Sequence, residues 1–459
     1  GRAVSEDNAM KGKEIQYVCS QCGRAESKWL GRCPDCGSWN TFEEELAKVE
    51  VTGKRAVIST GERAITLEAV QVDPLFRFET GISELDRVLG GGVMKGSSIL
   101  LGGEPGIGKS TLMLQVLAEC SKGRSVLYVS GEESPSQVKL RAQRLGLNLG
   151  RIDIFCDTRS EVLVKLLEDS SYEVVVIDSL QTLGSEEIPS PAGSVNQIRF
   201  CSTMLVGLCK QKGISLFLVG HVTKEGTLAG PKVIEHLVDT VLYFEQVNSG
   251  VRLIRAAKNR YGSVDEIGIF SMGEQGLKPV TNPASFFINE RGNERLPAGI
   301  AFSAVLEGSR AFLVEIQALT TPAKGGYSRI YSDRIDSARV TRIAAILERH
   351  AGLRFGEQDI YVNVGGGIKL NEVSIELPLA LALWSALTNR SLPNNMASFG
   401  ELSLAGEVRT VSFSEKRQKA AKELGFNKVL LPKMTGKVGL TQYPAQSIKE
   451  ALEICQRLS

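Results

Sequence analysis

The 459-residue sequence contains no apolar run approaching eighteen residues, so no segment has the length to cross a bilayer as a helix. It also has almost no net charge. Lys and Arg number 54 against 52 Asp and Glu, a balance of +2, so any nucleic-acid contact must come from local basic patches. Gly1 to Met10 is polar, so no secretory signal is expected, and Met10 is the expected native start. The nine cysteines do not form a disulfide framework. Four cluster before residue 40 and five scatter through apolar stretches, which suits a reducing cytosol. At this length two or three domains are expected.

What is present is more specific. The run Gly103-Glu104-Pro105-Gly106-Ile107-Gly108-Lys109-Ser110-Thr111 follows Ser98-Ile99-Leu100-Leu101, which reads as a buried strand. It precedes Leu112 to Leu117, which reads as the start of a helix. Strand, Gly-rich loop and helix in that order are what a P-loop requires. The glycines let backbone N–H groups curl around the phosphates, and the helix N-terminus adds partial positive charge. Lys109 is placed to reach the terminal phosphates of a nucleoside triphosphate, and Ser110 to hold Mg²⁺.

Cys19-x-x-Cys22 and Cys33-x-x-Cys36 are two identical knuckles, each followed by glycine, Gly23 and Gly37. Four thiolates in such pairs suit tetrahedral Zn²⁺; a redox pair or an iron–sulfur cluster is the alternative. So short a segment buries little core, and the metal would supply most of its folding energy. Trp29 and Trp39 flank the second knuckle and either pack on the metal site or present a stacking surface. Residues 16–42 are read as this module, 1–15 as a tail, and 43–75, charged and weakly periodic, as a linker.

From Phe76 to about Lys278, apolar runs alternate with helical stretches. Ser125–Ser130, Ile152–Phe155, Glu173–Asp178 and Ile214–Val219 read as buried parallel strands, with helices over Pro135–Leu145 and Ser194–Lys212. This predicts a doubly wound α/β core with nucleotide at the carboxyl ends of the strands. Asp178 closes its apolar strand in the Walker B form, where it would serve the Mg²⁺ shell. Hydrolysis also needs a carboxylate to orient and deprotonate water. Glu132 is the favoured residue and Glu133 the alternative, both after a strand expected to lie beside the P-loop strand. His221 follows the run Leu216–Val219 and is either a γ-phosphate sensor or an ordinary strand-end histidine.

Thr80-Gly81-Ile82-Ser83-Glu84-Leu85-Asp86, then Leu89-Gly90-Gly91-Gly92 and the P-loop, resembles the RecA-like ATPases. With the four-cysteine knuckle, Lys258-Asn259-Arg260-Tyr261-Gly262 and a Lon-like carboxyl-terminal segment, the chain resembles the RadA (Sms) family of bacterial recombination proteins from about Tyr17 onward. The family signature carries Phe where this chain has Tyr261. The resemblance implies a homo-hexamer with Zn²⁺, Mg²⁺ and ATP as cofactors. Lys258 and Arg260, on one face of a strand-like run, would act across a subunit interface as cations on the γ-phosphoryl group. It implies DNA loops at Gly184–Gln197 and Thr223–Lys232, with Lys224 and Lys232 as phosphate contacts. Single-stranded and branched DNA, and a RecA-type recombinase, are the implied partners, in a cytoplasmic, nucleoid-associated setting. The implied activity is an ATP-dependent DNA motor, a helicase or branch-migration factor; an ATP-gated DNA-binding scaffold is the alternative.

The last third reads as a separate domain. Asp359–Gly367 and Phe399–Arg409 resemble the Lon protease domain, whose chemistry needs a Ser activated by a Lys. Here Glu376 stands at the nucleophile position and Glu415 at that of the Lys. Ser374 with Lys416 is the remaining pair, and proteolysis is not expected. Arg329, Arg334, Arg339 and Arg342 supply basic density, solvated or paired with Asp333 and Asp336. The expected fold is thus an α/β RecA-like P-loop ATPase core over residues 76–283. It is preceded by the zinc knuckle and followed by an α+β Lon-protease-like domain over 284–459.

Overall fold

The computed structural model describes residues 15–46, 66–69, 76–221, 232–247, 250–280, 288, 295–436 and 438–459. The chain divides into two compact units, one formed by residues 1–246 with 252–279 and the other by 247–251 with 280–459.

The first unit is built on a nine-stranded sheet. Its spatial order is Gly276–Pro279, Ile267–Gly273, Val251–Asn259, Thr240–Gln246, Ser98–Gly103, Ser215–His221, Val174–Asp178, Val126–Ser130 and Ile152–Phe155. The last six, from Thr240–Gln246 outward, are parallel to one another. Ile99 and Leu101 pack with Tyr128, Val176 and Phe217 in one core, while Leu100 joins Leu127, Val175, Ile177 and Leu216 in the other. Burial on both faces removes the polar alternation of an ordinary strand, which is why these segments are continuous apolar runs.

Two strands differ from the sequence expectation. Ile152–Phe155 is the edge strand, with Asp153 and Ile154 exposed, because only one neighbour covers it. Val126–Ser130 does not lie beside the P-loop strand; Ser215–His221 and Val174–Asp178 stand between them. Apolar runs specify that a strand is central but not which central strand it pairs with.

The second unit carries a seven-stranded mixed sheet in the order Ile330–Ser332, Gln358–Val364, Arg310–Pro322, Ile300–Glu307, Met396–Ser398, Lys428–Leu431 and Thr441–Pro444. Its central helix, Glu376–Thr388, is buried from Glu376 through Ser385, matching its nearly unbroken apolar sequence. The cysteine module is a small three-stranded sheet of Ala25–Glu26, Ile15–Cys19 and Phe42–Leu46. Among the described residues, no helix is long and apolar enough to cross a membrane.

Candidate functional site

The P-loop runs from the end of strand Ser98–Gly103 into helix Lys109–Cys120. Gly108 caps that helix at φ 116°, a backbone conformation that side-chain-bearing residues rarely adopt, so the turn into the helix calls for glycine. The first-turn N–H groups of the helix have no intrahelical acceptor and point out of its positive end. Lys109 is buried, and its Nζ donates to the carbonyls of Gly103 at 2.7 Å and Glu104 at 2.8 Å. Burial pushes its ammonium down to about 8, against the pull of the Asp178, Glu132 and Glu104 carboxylates. Ser110 follows in the first turn, partly exposed.

Parallel pairing aligns the other strand ends with this loop. His221 is paired with Gly103, Val219 with Asp178, and Ser130 with Asp178. Asp178 accepts a 2.6 Å hydrogen bond on Oδ2 from the buried Tyr128 hydroxyl, and the Asp178–Ser179 peptide is cis. Glu132 Oε1 accepts from Ser179 Oγ at 2.7 Å and lies 3.2 Å from His221 Nε2. The Ser179 hydroxyl, with burial opposing it and the imidazole adding to it, holds the Glu132 carboxyl below its usual range. Glu133 is engaged instead with Arg141 on helix Pro135–Arg144. The carboxyl edge therefore gathers an ammonium, two carboxylates and an imidazole around the helix N-terminus, a set suited to a metal-bound nucleoside triphosphate. Tyr128 and Ser179 did not stand out in the sequence; their positions on or just after strands that end at this edge are the signal that could have found them.

In the cysteine module the four sulfurs lie within 4.8 Å of one another, with Cys19 to Cys36 at 3.7 Å and Cys22 to Cys33 at 3.4 Å. Four thiolates about 2.3 Å from a tetrahedral zinc would stand close to such separations. The knuckles repeat one geometry: Gly23 N donates to Cys19 O at 2.8 Å and Gly37 N to Cys33 O at 2.9 Å. Trp29 and Trp39 do not close over the sulfurs. They are 51% and 68% exposed, with Arg32 over the Trp39 ring at 5.7 Å.

Three family models match the chain: an AAA domain over residues 62–227, a rubredoxin metal binding domain over 17–44, and subunit ChlI of Mg-chelatase over 333–435. The chain is 49% identical over 424 residues to the DNA repair protein RadA of Treponema pallidum, covering 92% of each. Its identity to the DNA repair protein RadA of Bacillus subtilis is 45% over 431 residues, 92% of this chain and 93% of that one. Against the Aquifex aeolicus DNA repair protein RadA it is 41% over 448 residues, 97% of this chain and all of the other. The chain belongs to the RadA family. It is an ATPase whose cofactors are ATP, Mg²⁺ and Zn²⁺.

The RadA signature residues Lys258 and Arg260 are not brought to the P-loop. Thr240 is paired with both Ile99 and Asn259, so the motif sits at the amino edge of the sheet. Gly103 lies four positions further along the P-loop strand, about 13 Å at strand spacing. Strand Val251–Asn259 ends before Arg260, which falls in the following turn. Lys258 Nζ donates to the carbonyls of Glu235 and Val238, both at 2.7 Å, and Arg260 Nη1 is 3.4 Å from Asp239 Oδ1. Asn259 turns the other way, its Nδ2 donating to Val88 O at 3.3 Å.

Of the expected DNA loops, Lys224 lies outside the described residues, as does the side chain of Lys232, whose backbone opens helix Lys232–Leu237. The segment 184–197 is tied down. Gln197 Nε2 donates to the carbonyls of Ser185, Ile188 and Ser190 at 3.0, 2.9 and 2.8 Å. Its charged residues are Glu186 and Glu187, which offer nothing to a phosphate.

In the carboxyl-terminal unit, Ser374 is buried and its Oγ accepts from Arg417 Nη1 at 3.0 Å. Arg417 also donates to Ala304 O and to Glu372. A guanidinium does not take a proton from a serine, since it stays charged. Lys416 is exposed, with its Nζ 5.8 Å from the Phe413 ring centroid, while Ser374 is fully buried, and among the described residues no hydrogen bond joins the two. Arg342 and Arg339 pair with the buried Glu376, not with Asp333 or Asp336, because a carboxylate at 1% exposure needs cations.

Proposed function

We propose that this ATPase acts in DNA repair and recombination as an oligomeric motor, a hexameric helicase or branch-migration factor on single-stranded and branched DNA. In this reading Lys109 and the P-loop N–H groups hold the phosphates, and Ser110 and Asp178 serve the Mg²⁺ ion. Glu132 takes the proton of the attacking water, and His221 reports the state of the γ-phosphate to the segment that follows it. Lys224 and Lys232 contact the DNA backbone, and the zinc module meets a RecA-type recombinase.

The observation that carries the oligomer is the placement of Lys258 and Arg260. Two cations at the amino edge cannot serve the P-loop at the carboxyl edge of the same sheet. A neighbouring copy that presents its amino edge to this carboxyl edge would supply both, and the charge of phosphoryl transfer would draw them there.

One observation favours a second reading, an ATP-gated scaffold. Lys258 Nζ is already held by two carbonyls of its own chain, and burial and Arg260 push its ammonium below the usual lysine range. ATP hydrolysis with and without single-stranded DNA, for wild type and Lys258→Ala, alongside native mass, separates the two. The motor requires strong DNA stimulation that disappears in a variant still forming hexamers. Hydrolysis indifferent to both DNA and Lys258 leaves the scaffold.

A further inference from the structure

Glu132 follows a different strand, Val126–Ser130, from the one that carries Asp178, yet the two are keyed together by a contact that neither sequence motif contains. Gly131 N donates to Asp178 O at 2.8 Å. A Cβ on Gly131 would lie 1.8 Å from Thr182 Oγ1, so only glycine lets this segment rest on the turn after Asp178. Thr182 Oγ1 in turn donates to Ser179 O at 2.7 Å, fixing the turn on which Ser179 stands. Ser179 is fully buried, and a serine has a single O–H to donate.

We propose that Ser179 is the positioning residue of the hydrolytic site: its hydroxyl holds Glu132 Oε1 at 2.7 Å and turns Oε2 toward the attacking water. His221 Nε2, at 3.2 Å, falls on the same Oε1. Among the described residues no hydrogen bond falls on Oε2, so one oxygen is anchored and the other is left to accept a proton. A carboxylate on a flexible side chain, 51% exposed, would otherwise sample several rotamers, and fixing one of them is where orientation contributes to rate. The bond also favours the ionised form, which is the form that accepts a proton.

The inference rests on Glu132 being the base, and the experiment separates the two. Steady-state ATP hydrolysis is measured across pH for the full-length zinc-loaded protein and for Ser179→Ala, Ser179→Thr and Glu132→Gln, with nucleotide binding followed in parallel. Ser179→Ala is expected to lower kcat roughly tenfold or more, the worth of a hydrogen bond to a charged group. KM and nucleotide binding stay at wild-type values, and the acid limb of the kcat profile moves to higher pH. Ser179→Thr, which keeps the hydroxyl, returns both kcat and the limb toward wild type. A Ser179→Ala protein with wild-type kcat and limb, beside an inactive Glu132→Gln, overturns the positioning role alone. A reduced kcat with an unmoved limb does the same, since it marks a merely structural serine. Persistent hydrolysis in Glu132→Gln removes the base reading itself.

Discussion

In the ATPase unit, the Glu132 carboxylate is half exposed, with a hydroxyl and an imidazole on one oxygen. In the carboxyl-terminal unit, Glu376 is 1% exposed, paired with Arg342 and Arg339, and accepts from Leu402 N at 3.0 Å. The neighbouring cations differ in the same way. Lys109 is held by carbonyls of a loop that also faces outward, whereas Arg417 spends its guanidinium on Ala304 O, Ser374 Oγ and Glu372. A site for a charged ligand keeps donors and acceptors that the protein does not consume. A site that has become structural consumes them all, and its charges then serve the fold.

Mutation should break this contrast in opposite directions. Lys109→Ala removes a ligand-facing cation, so hydrolysis is expected to fall by at least about 100-fold with the melting temperature unchanged or raised. Arg417→Met strands Glu372, Ser374 and a buried carbonyl at once. It is expected to destabilise the carboxyl-terminal unit by about 3–5 kcal/mol in denaturant unfolding while nucleotide binding persists. Unfolding by Lys109→Ala, or a neutral Arg417→Met, would remove the distinction.

How much of this was legible beforehand follows from sequence distance. The P-loop and the cysteine knuckles are local: Gly108 and Lys109 are adjacent, and each knuckle closes on itself within a few residues. The buried sheet is legible as well, because each central strand shows its burial in its own composition. What was hidden lies in partnerships across the chain. Ser179 meets Glu132 from 47 residues away, and Arg417 meets Ser374 from 43. Strand order is hidden for the same reason. Nothing in Val126–Ser130 records that two other strands separate it from the P-loop strand, so Glu132 had to be placed by the fold. The carboxyl-terminal site shows the limit most clearly. The sequence puts Glu415 at the position of the Lys, with Lys416 beside it, but Arg417 is the residue that turns inward, and only packing against Phe399 and Ala304 decides that.

A finer test stays within the ATPase unit and sets Glu132 against its neighbour. Glu133 is bound to Arg141 and Glu132 is not, so Glu133→Gln should change hydrolysis by less than about fivefold, the worth of a partly exposed ion pair. Steady-state kcat reads this directly. A collapse of kcat in Glu133→Gln would exchange the two roles and place the reactive carboxylate on the ion-paired residue.

The smallest effect is a proton count. Burial holds the Lys109 ammonium at about 8, well below a free lysine. Between about pH 8 and the ordinary lysine range, the unfolded chain therefore binds more protons than the folded one, and this residue's contribution to stability rises with pH across that window. Phosphates reverse the balance, since a nearby anion favours the charged amine. Nucleotide binding at pH 8.5 should thus take up a large fraction of one proton, against little at pH 7. Calorimetric titration in two buffers of different ionisation enthalpy measures the difference. Lys109→Arg, charged at every accessible pH, should bind without that uptake. Equal uptake at pH 7 and 8.5 would mean that Lys109 is as solvated as a surface lysine. The contrast with the carboxyl-terminal arginines would then rest on exposure and not on readiness for a ligand.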